Sequence, residues 1–244
     1  MRLLTSSCQS VIIIGGLLIM DLVGLKVELN FAEDSRVRTP ANAVFTELAD
    51  GSGPRRGPQE PGVRVKNSKQ KMEITWDYES CSVLWEDPSD PRYTIKESVK
   101  FLNRIDKVVS IPKLKDIQLT AYWILPVKGD DFKSLESKYR NRFIRENEAY
   151  KNCLDSSVII DMQCQNRFLH HQSGPMRIKQ FQDEYRSFKV NEGTPHLFFF
   201  LETTIIDSEI VKYSNSETEA FLLSLFKECK SHSDKFHGVV EDLI

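Results

Sequence analysis

The sequence predicts an α+β fold, with a single largely antiparallel sheet covered by two or three helices. Three observations point there. Val23, Leu25, Val27, Leu29 and Phe31 alternate with Gly24, Lys26, Glu28 and Asn30. That period of two marks a strand with one dry face and one wet face. Apolar or alternating stretches of similar length recur as far as Ile206. The chain then closes on an amphipathic stretch, Ser216 to Ile244, with Leu222, Leu225, Phe226, Cys229, Phe236, Val240 and Leu243 along one side.

Taken in order, Val11 to Met20 (VIIIGGLLIM) is an apolar run ended by Asp21. Even extended to Leu25 it falls short of the ~20 apolar residues a membrane span needs. A signal peptide over 1–24 is one reading, although Arg2 is the only positive side chain ahead of the run and no clean small-x-small cleavage site follows. A buried strand, or an extension upstream of a start at Met20, is the alternative. Residues 1–48 are thus expected to form an N-terminal strand unit. Ala49 to Lys71 is rich in Gly and Pro, nearly free of large apolar residues and basic through Arg55, Arg56, Arg64, Lys66, Lys69 and Lys71. It reads as an exposed loop or linker, and 72–244 as the main domain.

Within that domain Met72, Ile74, Trp76 and Tyr78 alternate as a strand, Cys81 to Trp85 continues or pairs with it, and Glu86 to Pro91 is a turn. Arg92 to Val109 fits two patterns. Thr94 and Glu97 match a helix capping box with Ile95, Val99, Leu102 and Ile105 at helical spacing, yet strand alternation is almost satisfied too, and the local code leans to helix. Ile117 to Val127 is a strand rich in aromatic and branched residues. Asp131 to Leu154 is a helix with Phe132, Leu135, Tyr139, Phe143, Tyr150 and Leu154 as its stripe. Ser157 to Gln165 is a strand, His170 to Pro175 a turn, and Pro195 to Asp207 the most apolar strand. Ser216 and Glu219 form a capping box for the last helix.

Composition narrows function without naming it. With 40% hydrophobic residues the chain can build a real core, and a net charge of −2 argues against a protein built wholly around nucleic acid. Five scattered cysteines, with no CxxC pair and no glycosylation sequon, favour free thiols and an intracellular setting, or a secreted one if 1–24 is a signal peptide. There is no Walker loop, no G-x-G-x-x-G and no G-x-S-x-G. The histidines show no metal-binding spacing.

Two groups of residues remain as candidates. Asp161 and Glu202 each interrupt a strongly apolar strand, where an unpaired charge is costly to bury. Brought together, they would hold Mg²⁺ for phosphodiester chemistry. The other group is the predicted helix over 131–154, where Lys138, Arg140, Arg142 and Arg145 interleave with aromatic residues, a composition that can grip phosphate.

Phe101 to Ile105 (FLNRI), within RYTIKESVKFLNRID, resembles the central motif of an uncharacterised bacterial family that carries an aromatic–Ile–Asn–Arg–Ile segment on a strand. An early alternating strand, a late apolar strand and a C-terminal helix accompany the motif in both. The resemblance implies that 92–106 is partly strand and that Asn103 and Arg104 are the polar pair of interest. It implies no activity.

The leading expectation is therefore a non-enzymatic binding or interaction protein. Its surface would combine the basic helix and the basic loop, and its partner would be protein or nucleic acid, with no cofactor. A metal-dependent phosphodiesterase or nuclease using Asp161 and Glu202 is the rival, and a secreted effector the third reading.

Overall fold

A computed structural model describes residues 20–32, 63–67, 69–77, 79–127, 131–144, 156–164, 166–186, 188, 195–209 and 213–243. Eight strands form one antiparallel sheet: β1 (Asp21–Phe31), β2 (Val63–Asn67), β3 (Met72–Trp76), β4 (Ser80–Glu86), β5 (Leu114–Pro126), β6 (Val158–Cys164), β7 (Arg167–Arg177) and β8 (Leu197–Asp207). Their spatial order is β2-β3-β4-β1-β5-β8-β7-β6. The four helices among the described residues are α1 (Pro91–Val109), α2 (Phe132–Phe143), α3 (Ile178–Glu184) and α4 (Asn215–Val240). The expected α+β architecture is what the chain adopts. None of these helices is long and apolar enough to cross a membrane.

The early alternating strand lies in mid-sheet, between β4 and β5, with Val27 opposite both Val83 and Leu119. Its dry residues Leu25, Val27 and Leu29 are fully buried. Each such side chain contributes about 1.5–3 kcal/mol through removal from water. Leu119, Ala121, Phe199, Leu201 and Ile205 continue this face across β5 and β8, and Ile95, Leu102 and Ile105 of α1 with Leu222, Leu225 and Cys229 of α4 close it. Trp85 joins α1 to the sheet by donating its indole N–H to Ser98 Oγ at 2.8 Å. Cys81 and Cys229 are buried free thiols, their pKa values pushed up by burial.

Several elements differ from the sequence expectations. The 92–109 segment is helix, so the strand implied by the family resemblance does not form there. Its cap is Asp90, which accepts from the Arg92 N–H at 2.9 Å ahead of Pro91, and Thr94 instead donates back to the Asp90 carbonyl. At the start of α4 the N-cap position is Ser214, ahead of the expected cap at 216, and Thr218 donates to the Ser214 carbonyl. Within the stretch read as loop, Val63–Asn67 forms β2, whose alternation of Val and cation over five residues is short enough to be masked by the Gly and Pro before it. The stretch 170–175 is strand, not turn. β6 ends opposite Ser173, so Gly174 and Pro175 occupy a sheet edge, where a missing N–H is tolerated. Gly174 is required there, since a Cβ would lie 2.8 Å from the Ser156 carbonyl oxygen. α2 closes at Phe143, and the remainder of the expected helix, like the apolar run over 11–19, lies outside the described residues.

Candidate interaction surface

Alternation sends every second residue of the strands to the opposite face of the sheet. Among the described residues, α3 and the short segment behind it are what cover this second face. Phe181, Tyr185 and Phe188 pack there on Tyr122, Phe198 and Phe200. Gly24 admits Phe188, because a Cβ at that position would come within 2.3 Å of the ring.

Beyond that aromatic patch the face is largely polar, interrupted by Leu84, Ile206, Phe168 and Ile159. One row crosses all eight strands: Lys66, Glu73, Leu84, Lys26, Thr120, Thr204, His170 and Asp161, each residue paired with the next. Thr120 and Thr204 share a hydrogen bond of 2.9 Å at its centre. At the β6 end, His170 Nδ1 lies 2.7 Å from Asp161 Oδ1. The adjoining row holds Glu86, Gly24, Tyr122, Glu202 and Gln172.

Glu202 stands at the border of the aromatic patch and the polar rows. Tyr185 donates its hydroxyl to Glu202 Oε2 at 3.3 Å. Burial raises the pKa of Glu202, and the Tyr185 hydrogen bond, His170 and Lys26 oppose that rise without cancelling it. Burial, with the Glu202 charge second, also holds the Tyr122 and Tyr185 phenols above their ordinary range. Opposite Glu202, Gln172 lines a cleft of about 290 Å³ between β7 and α3, along with Ser157, Gly174, Gln180 and Glu184.

The cations of this face are already matched. Lys26 reaches Glu28 at 2.5 Å, Arg64 reaches Glu73 at 2.8 Å and Lys66 reaches Glu86 at 2.6 Å, while Lys71 pairs with Asp87 at the rim. The carboxylates of Glu28, Glu73, Glu86, Asp116, Asp161 and Glu202 outnumber the cations of Lys26, Arg64 and Lys66.

The residues singled out from sequence are only partly brought together. Asp161 and Glu202 do share this face. However, β7 runs between their strands, with His170 facing the first and Gln172 the second, so the two carboxylates do not converge on one ion. Among the described residues no group of three or more His, Cys, Asp or Glu side chains could hold a metal. Lys138 and Arg142 are exposed on α2, whereas Arg140 is half-buried with Nη1 3.8 Å from Glu136 Oε1, and Arg145 is outside the described residues. α2 packs over β7 on the dry face, anchored by Tyr139 donating to the Ser173 carbonyl at 2.8 Å. The basic helix and the polar face therefore lie on opposite sides of the sheet. Asn103 accepts a hydrogen bond from Tyr213, and the Arg104 guanidinium lies 5.6 Å from the centre of the Phe101 ring. These contacts secure the α1 region. His170, Tyr185 and Lys26 were not legible as site residues, because nothing in a strand's periodicity tells which face a helix will cover.

No protein-family model matches this chain, and no curated protein is similar to it. Among solved structures, the chain is similar to Methanococcus jannaschii TBP, at 11% identity and a TM-score of 0.28, over 87% of this chain and 98% of that one. At that score the likeness carries no inference about partner or mechanism.

Proposed function

We propose that this chain is a non-enzymatic binding protein whose polar sheet face seats a polypeptide carrying Lys or Arg side chains. The observation that supports it is the state of charge on that face. Its cations are spent in pairs with Glu28, Glu73 and Glu86, and what remains to meet a partner is Glu202, the Asp161–His170 pair and the acceptor-lined cleft beside Glu184. A phosphate backbone would be repelled here. A cationic side chain gains a carboxylate, and one held in part by burial is stabilised further when a positive charge arrives.

The test is fluorescence anisotropy with a labelled Lys- and Arg-rich peptide and, separately, a labelled duplex oligonucleotide. The peptide is expected to bind and to weaken with salt. A Glu202→Gln, Asp161→Asn double variant removes two ion pairs and should lose about tenfold in affinity. Binding of the duplex alone, or peptide binding indifferent to both substitutions, would overturn the proposal.

A further inference from the structure

The two ends of the sheet are unlike. β2, at one end, spans five residues and presents Arg64 and Lys66, each tied to a carboxylate of the neighbouring strands. Short length and charge are how an exposed edge is kept from pairing with another chain. β6, at the other end, spans seven residues and among its described side chains carries a single charge, Asp161, tied to His170 on β7. Ile159 is 57% exposed, and Ile160 and Met162 are each 37% exposed. With Phe168 on β7 they make up four of the seven large exposed apolar side chains among the described residues. They project from both faces of the strand, and among the described helices α2 packs over β7 and not over this border.

We infer that β6 is a self-association edge, pairing antiparallel with β6 of a second copy to join two sheets into one. The apolar pattern of β6 is self-complementary, which argues for a second copy as the occupant, and charge selects the register. A two-fold axis normal to the sheet keeps each residue on its own face, so the residue at the axis must pair with itself. Centred on Asp161, the contact would set two carboxylates against each other, which is unfavourable in directly opposed positions. Centred on Ile160, it pairs Ile160 with Ile160 and Val158 with Met162, forming a continuous apolar row on one face. On the other face it sets Ile159 against Asp161, which moves the two carboxylates apart and leaves each with its own His170. Nothing in this contact depends on what the polar face binds.

Sedimentation equilibrium of the full chain tests the inference. A reversible dimer with a micromolar dissociation constant is expected. Ile160→Lys puts two cations at the axis and should weaken association by about tenfold or more, whereas Val108→Lys, at an exposed apolar position on α1, should leave it unchanged. Circular dichroism establishes that each variant folds. Should Ile160→Lys fail to fold, disulfide trapping replaces it, in a chain with Cys8, Cys153 and Cys164 changed to Ser. Ile160→Cys should cross-link to itself and Asp161→Cys should not. A monomer at all concentrations, a dimer untouched by Ile160→Lys, or cross-linking from Asp161→Cys in preference to Ile160→Cys would each overturn it.

Discussion

Leu25, Leu119 and Leu201 lie fully buried beneath α1 and α4, while their immediate neighbours Lys26, Thr120 and Glu202 look out from the opposite face of the same three strands. One residue along the chain separates a fully buried apolar side chain from a polar one on the opposite face, where Lys26 and Glu202 are half-buried and Thr120 is buried. A register slip by a single position would exchange the two sets, so the dry face also fixes the geometry of the wet one. The dry face is stabilising nearly everywhere. The wet face keeps Glu202 half-buried in ionisable form, at a cost in stability.

Mutations should separate the faces by size of effect. The largest contrast is expected between Phe199, fully buried against Tyr139 on the dry face, and Gln118, half-buried on the wet one. In urea denaturation, Phe199→Ala should cost about 4 kcal/mol through lost burial and a residual cavity. Gln118→Ala should stay within about 0.5 kcal/mol of the parent. Comparable costs at both positions would erase the distinction.

The next effect is one of pH and belongs to a buried residue of β7. His171 is buried on the dry side, bonded to Thr203 Oγ1 at 2.8 Å, and burial lowers its pKa from 6.5 to about 4, with His232 and His170 adding to the fall. The unfolded chain therefore takes up a proton that the folded chain refuses between those values. Stability should fall as pH drops through this window, by about 3 kcal/mol in all, and change no further from this source below it. In His171→Gln the difference in unfolding free energy between pH 7 and pH 4 should shrink by that amount. An unchanged pH dependence would place the proton elsewhere.

The smallest expected effect has the opposite sign from most substitutions. Because the folded-state pKa of Glu202 is raised, its contribution is favourable below the unfolded value of 4.5 and is lost as pH rises through the folded value. Glu202→Gln, which keeps an acceptor for Tyr185, should gain slightly in thermal stability at pH 7 while weakening peptide binding. A loss of stability at neutral pH would mean that the carboxylate serves the fold.

Much of this architecture was legible in the sequence, and the limits of that reading are physical. β1, β5 and β8 declared themselves because alternation or continuous apolar runs reflect one or two covered faces. β7 did not, since its Gly174-Pro175 pair carries turn chemistry, and only the early end of β6 turns that position into an edge. Asp161 and Glu202 stood out as charges in apolar strands, and both do reach one surface. That β7 would keep them apart depends on strand order, which local pattern does not encode. On the basic helix the apolar stripe was legible as the buried side, and Lys138 and Arg142 are exposed beside it, but the side of the sheet on which the helix packs was not encoded in its pattern.

The most direct test is an NMR titration of the full chain with the Lys- and Arg-rich peptide. Shift changes are expected to cluster at Lys26, Thr120, His170, Glu202 and Thr204, the centre of the polar rows. Changes confined to Lys138 and Arg142 on α2, or spread evenly over both faces, would contradict the proposal that the polar sheet face is the binding surface.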